Sequence, residues 1–133
     1  MFKTAHIIEK PWGHEEIWDQ SSRGYVGKVL FIKKGHRLSR QYHRVKEETV
    51  MVLEGVLTCE AGPYFEGDTI HFHIMKAGEI FHIAPGTIHR FCAPEGDVRV
   101  VEVSTSETSD IVRLEDDYRR IKDIPRPAPQ SDK

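Results

Sequence analysis

The sequence predicts an all-β protein, a small double-sheet barrel of the jelly-roll kind. Three observations carry that expectation. About nine short runs rich in β-branched and aromatic residues recur along the chain, and Gly, Pro and Asp clusters separate them at intervals of about 8–12 residues. Neither a βαβ unit nor a long amphipathic helix interrupts the series.

Within the first 24 residues, Lys10-Pro-Trp-Gly13 is a Pro/Gly turn and Glu16-Ile-Trp-Asp19 reads as the opening strand behind it. Trp12 and Trp18 are assigned to the core or to a subunit contact. Residues 25–33 are strongly β-prone, and strict alternation puts Lys28 on the face of Leu30 and Ile32, toward the barrel interior. Lys34-Gly35 turns the chain, residues 37–43 are short and extended, and a Lys/Glu-rich loop leads into a strand at 49–53. Gly55 ends that strand and 56–60 pairs back. Residues 62–68 form the most turn-rich loop of the chain. In 69–75, Ile70, Phe72 and Ile74 fall on one face and His71 and His73 on the other. The apolar set is read as the inner face and the histidines as an outward pair, because no Glu follows them at ligand spacing. Residues 80–83 and 88–92 flank the Pro85-Gly86 corner, and 98–103 is the last clear strand. The segment 111–121 is compatible with a short helix whose solvated face is Glu115-Asp-Asp117. One domain is expected over 1–122, with 123–133 a Pro-rich disordered tail.

A chain of 133 residues buries a core without disulfide help. Its net charge of −2 gives no electrostatic reason to expect a nucleic-acid partner. No apolar run approaches the ~18 residues of a membrane span, and the N-terminus has no signal-peptide core. Cys59 and Cys92 lie in strand-like contexts and read as buried free thiols. The expected compartment is the cytoplasm.

The chemistry-bearing stretches are Gly35–Gly55 and Gly78–His89. Gln41 and His43 are two apart, so on a strand both side chains leave the same face. Glu48 opens the next strand after a tight loop, and His89 follows the Pro-Gly corner. Two imidazoles, a carboxylate and an amide oxygen suit one divalent first-row ion with coordination positions open to water or substrate; Mn, Fe, Co, Ni and Zn are not distinguished. With eight histidines in the chain, coincidental surface polar residues answer to the same spacing, and the residues alone leave both readings open.

The two stretches resemble the two cupin motifs. Gly35, Gln41, His43, Glu48 and Gly55 meet the first, with Gln41 at its first histidine position. Gly78, Gly86 and His89 meet the second, with Ala84 at its proline and Ala93 at its asparagine. The similarity is closer to the cupin domain of type II phosphomannose isomerases, in which Gln commonly takes that first position. Lys10-Pro-Trp-Gly13, Tyr25, Lys28, Arg37-Leu-Ser39, Gly86-Thr-Ile-His-Arg90 and Asp110-Ile-Val-Arg-Leu-Glu-Asp-Asp-Tyr-Arg-Arg120 all fall where that family has similar residues.

The resemblance implies a cupin barrel with Gln41, His43, Glu48 and His89 as metal ligands, a C-terminal segment folded over the barrel, and a homodimer. It also implies a metal-dependent aldose–ketose isomerase acting on a sugar or sugar phosphate. Lys46, His82 or a displaced Glu48 would then move the proton, with packing as the other reading of His82. Lys28, Arg37 and Arg90 would bind substrate, with a solvated surface charge as the other reading of each. Lys46 stands where the family has Arg, which predicts an altered substrate preference. The length leaves no room for the nucleotidyltransferase domain that often accompanies this cupin, so sugar-nucleotide synthesis is not expected. An epimerase, a dioxygenase and a non-catalytic sugar-binding cupin are the alternatives.

Overall fold

Alternation along the strands becomes two facing antiparallel sheets. The computed structural model describes residues 1–63, 69–107 and 109–121. Among them are eleven strands and no helix: β1 (His6–Lys10), β2 (Gly13–Gln20), β3 (Val26–Ile32), β4 (Arg40–His43), β5 (Glu48–Glu54), β6 (Val56–Pro63), β7 (His71–Lys76), β8 (Ile80–Ile83), β9 (Thr87–Cys92), β10 (Val98–Ser104) and β11 (Ile111–Glu115). One sheet runs β1-β2-β3-β10-β5-β8 and the other β11-β4-β9-β6-β7. This is the expected all-β double-sheet barrel. No helix among the described residues is long and apolar enough to cross a membrane.

Directly paired residues of antiparallel strands share a face, so the register lays out the inner wall in rows. Ile32 pairs with Val98 and Leu30 with Val100, and Val100 in turn pairs with Val52; these residues are at most 2% exposed. The next row is Lys28–Glu102–Val50, and the next Val26–Ser104–Glu48. One end of the barrel is therefore a closed apolar core, joined by Leu57, Ile83 and Phe91 from the other strands. The other end carries buried charge. Gly55 permits the β5–β6 turn: its φ is 85°, and a Cβ there would lie 2.4 Å from the Asp97 carbonyl oxygen.

Several sequence expectations are corrected. The opening strand is a hairpin of two, with β1 paired to β2 from His6–Ile17 to Lys10–Gly13. Strand β6 runs on to Pro63; the rest of the expected loop, 64–68, and the expected disordered tail, 123–133, lie outside the described residues. The segment 111–121 is not helical. Ile111–Glu115 adds to the free edge of β4, from Ile111 opposite His43 to Glu115 opposite Arg40. A helix of this length is marginal by itself, whereas the strand uses the edge groups of β4 and suits the β-branched Ile111 and Val112.

The phase of β7 is also the reverse of that expected. His71 and His73 pair with the buried Ala61 and Cys59, so by register they share that side of the sheet, yet both histidines are solvent-exposed, as expected of them. Phe72 and Ile74 stand outward, 66% and 62% exposed. The pairing of Met75 with Leu57 in the core sets this phase, since residues 71, 73 and 75 share one face.

Trp12 is in the core, while the half-exposed Trp18 covers Gly27, where a Cβ would meet its ring at 2.9 Å. Cys59 is a buried free thiol and Cys92 a half-buried one.

Candidate metal centre

Strand β4 delivers Gln41 and His43 to the inner face, β5 begins with Glu48, and β9 carries His89 directly opposite Gln41. The two motifs are tied together by a hydrogen bond from the Gly86 N–H to the His43 carbonyl, 2.8 Å. Gly86 has φ 83°, the left-handed conformation that turns the Pro85-Gly86 corner and aims β9 back across the sheet.

One ligand atom each from His43, Glu48 and His89 lies within 4.8 Å of the other two, and all three residues are buried. Glu48 Oε2 is 3.3 Å from His43 Nε2 and 3.8 Å from His89 Nε2, yet Glu48 Oε2 and His89 Nε2 have no hydrogen-bond partner. Buried polar atoms left unpaired in this way are costly unless something else satisfies them. A divalent cation at the centre does so for both, and the donor set of two imidazoles and a carboxylate fits such an ion. The Gln41 amide reaches within 3.4 Å of His43 Nε2, while its Oε1 accepts from Ser39 Oγ at 2.6 Å. Rotating that amide exchanges its two ends and presents the oxygen to the cluster.

The surrounding bonds orient the candidate ligands. His89 Nδ1 donates to the Thr87 carbonyl at 2.9 Å, which leaves the Nε2 lone pair facing the cluster. Burial pushes the His89 pKa down, so the ring is neutral, as a ligand must be. His43 Nδ1 lies 3.2 Å from Asp110 Oδ1, and Asp110 Oδ2 accepts from the N–H groups of Val45 and Lys46 at 2.8 and 2.7 Å. Asp110 thus fixes both a ligand ring and the loop between the two ligand strands. Burial opposes ionisation of Glu48, but the facing His43 ring and the Lys46 ammonium outweigh it and hold the carboxyl below its usual range.

The cluster lines a cavity of about 290 Å³. Its wall includes Lys28, Lys46, Glu15 and Glu102. Lys46 Nζ is 3.0 Å from Glu102 Oε2 and 4.0 Å from Glu48 Oε2; Lys28 Nζ is 3.3 Å from Glu15 and 3.9 Å from Glu102. Burial works against the Lys46 charge, but Glu102 and Glu48 raise its pKa, so it stands as an ammonium. Burial and the neighbouring Glu48 push the Glu102 carboxyl up.

Of the residues singled out in the sequence, Gln41, His43, Glu48 and His89 come together, and Lys28 and Lys46 line the same cavity. His82, Arg37 and Arg90 do not. His82 is exposed on β8 and paired with Glu47. Arg37 makes two hydrogen bonds to Asp117, at 2.7 and 2.9 Å. Arg90 is 1% exposed; it donates to the Leu38 carbonyl at 2.9 Å and lies 3.4 Å from Glu115. With Arg40 bridging Glu60 and Glu115, these arginines pin β11 and the following turn to the outside of the sheet. The face decides it: His89 points in, so Arg90, one residue on, points out. Glu102, Glu15 and Asp110 are site residues that spacing did not suggest. For Glu102 a signal existed, since it shares a period of two with the core residues Val98 and Val100.

A family model described as mannose-6-phosphate isomerase C-terminal matches residues 2–122. The chain belongs to that family. Mannose-1-phosphate guanylyltransferase RfbM of Salmonella typhimurium is 25% identical over 118 residues, covering 86% of this chain and 23% of that protein. The chain therefore spans less than a quarter of that relative's length. Among solved structures, the capsular polysaccharide assembling protein CapF of Staphylococcus aureus superposes with a TM-score of 0.76 at 16% identity, over 86% of this chain and 32% of that one. KdgF from Halomonas sp. gives 0.65 at 17% identity, over 79% and 89% of the two chains. An oxalate oxidase gives 0.65 at 22%, over 79% and 57%. These likenesses are of fold, and the fold is the cupin barrel. In this chain the His43, Glu48 and His89 cluster lies at the charged end of that barrel.

Proposed function

We propose that this cupin domain is a metal-dependent aldose–ketose isomerase acting on a sugar or, more specifically, a sugar phosphate. The observation that carries the reading is the convergence of buried, mutually unbonded ligand atoms from His43, Glu48 and His89 beside the Lys46–Glu102 pair in one cavity. His43, Glu48 and His89, with Gln41 after rotation of its amide, would hold the ion. When bound, it supplies Lewis acidity, polarising a carbonyl and the adjacent hydroxyl.

The remaining roles fall to the chain's own groups. Isomerisation needs a group to take a proton from one carbon and return it to the next, and such a group works best with a pKa near neutrality. Glu102 is the better candidate for that group. Its carboxyl is pushed up by burial and Glu48, and Lys46 at 3.0 Å fixes its position. Lys46, held protonated, serves as an electrostatic stabiliser or proton donor to oxygen and not as the base. His82 is too exposed, and too engaged with Glu47, for either role.

The test is to load the purified protein with Mn, Fe, Co, Ni or Zn in turn and follow mannose 6-phosphate and fructose 6-phosphate by NMR. Interconversion that is lost in Glu102→Gln, with the metal still bound, supports the assignment. No interconversion of these or other common sugar phosphates with any metal refutes the reaction. Sugar binding without turnover would then leave a carbohydrate-binding cupin, and metal-dependent oxygen consumption would point to a dioxygenase.

A further inference from the structure

Arg113 sits on β11 directly opposite Gln41, with Ile111 opposite His43, so it occupies the ligand-bearing face one strand away, about 4.8 Å across the sheet. It lines the same cavity as His43, Glu48 and His89. Arginines of this chain that are at least partly buried are otherwise held by carboxylates: Arg37 by Asp117, Arg40 by Glu60, Arg90 by Glu115, Arg99 by Glu16 and Arg120 by Asp116. Among the described residues Arg113 has no such partner, and its Nε is buried without a hydrogen bond.

The nearby acid is already committed. Asp116 accepts from Arg120 Nε at 2.8 Å and Nη2 at 3.0 Å, and from the backbone N–H groups of Tyr118 and Arg120. Arg120 repels Arg113, and burial together with that repulsion lowers the Arg113 pKa. Lys28 and Lys46 are neutralised by Glu15 and Glu102. The wall of the cavity that the cluster lines thus presents a partly desolvated guanidinium that, among the described residues, has no ion pair of its own, Asp116 acting on it only at longer range. A guanidinium presents a planar fork of donors matched to two oxygens of one oxyanion.

We infer that Arg113 anchors an oxyanion subsite, taking the phosphate of a ligand whose carbonyl end meets the His43–Glu48–His89 cluster. The inference rests on the sugar-phosphate reading above and assigns the group that distinguishes a sugar phosphate from a free sugar. Arg113 is a binding residue in this scheme and takes no part in proton transfer.

The test uses the metal-free protein, so that phosphate cannot bind to an ion. Inorganic phosphate is titrated into wild type, Arg113→Ala and Arg113→Lys by calorimetry and phosphorus NMR, with acetate as a parallel probe. The expected result is saturable phosphate binding to wild type, weakened at least tenfold in Arg113→Ala and partly retained in Arg113→Lys, with acetate weaker than phosphate. An unchanged melting temperature, and an unchanged Co(II) absorption spectrum on reloading, would show that the barrel and cluster are intact. If Arg113→Ala does not fold, Arg113→Gln carries the same comparison.

Failure of wild type to bind phosphate, or affinity within twofold in the Ala or Gln variant, overturns the subsite. Arg113-dependent binding of acetate without phosphate overturns the phosphate assignment. The outcomes separate this proposal from the reaction: Arg113-dependent phosphate binding in a protein that isomerises nothing leaves the subsite standing. An isomerase whose KM for sugar phosphate is unmoved in Arg113→Ala loses the subsite and keeps the reaction.

Discussion

Replacing Asp110 by Asn tests whether the metal ligands are prepared by their surroundings. Asp110 makes two kinds of contact, Oδ2 accepting from the N–H groups of Val45 and Lys46 and Oδ1 facing His43 Nδ1 at 3.2 Å. In Asp110→Asn the remaining oxygen can keep the backbone contacts, and the amide NH₂ takes the place of Oδ1. An amide nitrogen donates and cannot accept, so His43 Nδ1 must become the acceptor and its proton moves to Nε2. That removes the lone pair from the atom 3.3 Å from Glu48 Oε2. Loss of a carboxylate partner behind a ligand histidine weakens metal binding about 10–100-fold, or about 1.4–2.7 kcal/mol.

The variant's metal-free stability should fall by less than about 1 kcal/mol, because the backbone contacts survive. Asp110→Ala loses those as well, and since the loop is partly solvated the cost is about 1.5 kcal/mol, near 6 °C of melting temperature for a domain of this size. Competition for Zn(II) against a chromophoric chelator measures the affinity, and thermal denaturation of the metal-free proteins measures the stability. Zn(II) affinity of Asp110→Asn within twofold of wild type would refute the reasoning, because the tautomer would then not depend on Asp110.

Arg90→Ala should cost about 2–3 kcal/mol of stability, read as a strongly lowered melting temperature, because it strips the Leu38 carbonyl and Glu115 of a buried partner. Arg37→Ala, at the solvent-facing clamp, should cost under about 1 kcal/mol. Neither should change ligand affinity in protein that remains folded; a selective loss of sugar-phosphate binding in Arg37→Ala would return that residue to the site. Gly55→Ala should cost at least about 2 kcal/mol, since it combines a left-handed φ of 85° with a clash at 2.4 Å; a melting temperature within 2 °C of wild type would refute this.

Acid should release the C-terminal clamp. The Arg37 hydrogen bonds hold the Asp117 carboxyl below its usual range, and at Asp116 burial is outweighed by Arg120 and two backbone N–H groups. Groups with depressed folded pKa values contribute stability above their unfolded pKa of about 3.9 and lose it as the pH falls through the folded values. Protease cleavage near Tyr118 in the metal-free protein should be flat from pH 7 to 5 and rise below about pH 4. A rise between pH 7 and 5 would contradict the assignment.

How far the sequence could be read follows from what sets each side chain's direction. The convergence of the candidate ligands was legible because their placement is local: a spacing of two on one strand, a strand start after a tight loop, and a glycine corner. Lys28 was legible for the same reason, its alternation with Leu30 and Ile32 fixing its face before any partner was known. The errors arise where a partner elsewhere decides. Segment 111–121 became a strand because β4 offered an open edge, and the phase of β7 was set by Met75 meeting Leu57 in the core. Arg37 and Arg90 were chosen for nearness in sequence to the candidate ligands, yet Arg90 directly follows the inward His89 and so points away, and Arg37, ahead of β4, is held by Asp117. Lys46 escapes that rule because it lies in the loop between strands and turns back to Glu102. Extending the argument, the residues to seek around such a site are those two positions along a strand, or directly opposite on the next one. That criterion selects Glu102, two beyond Val100, and Arg113, opposite Gln41. The same geometry that removes Arg90 from the cavity therefore supplies the carboxylate and the guanidinium on which the proposed chemistry and ligand binding depend.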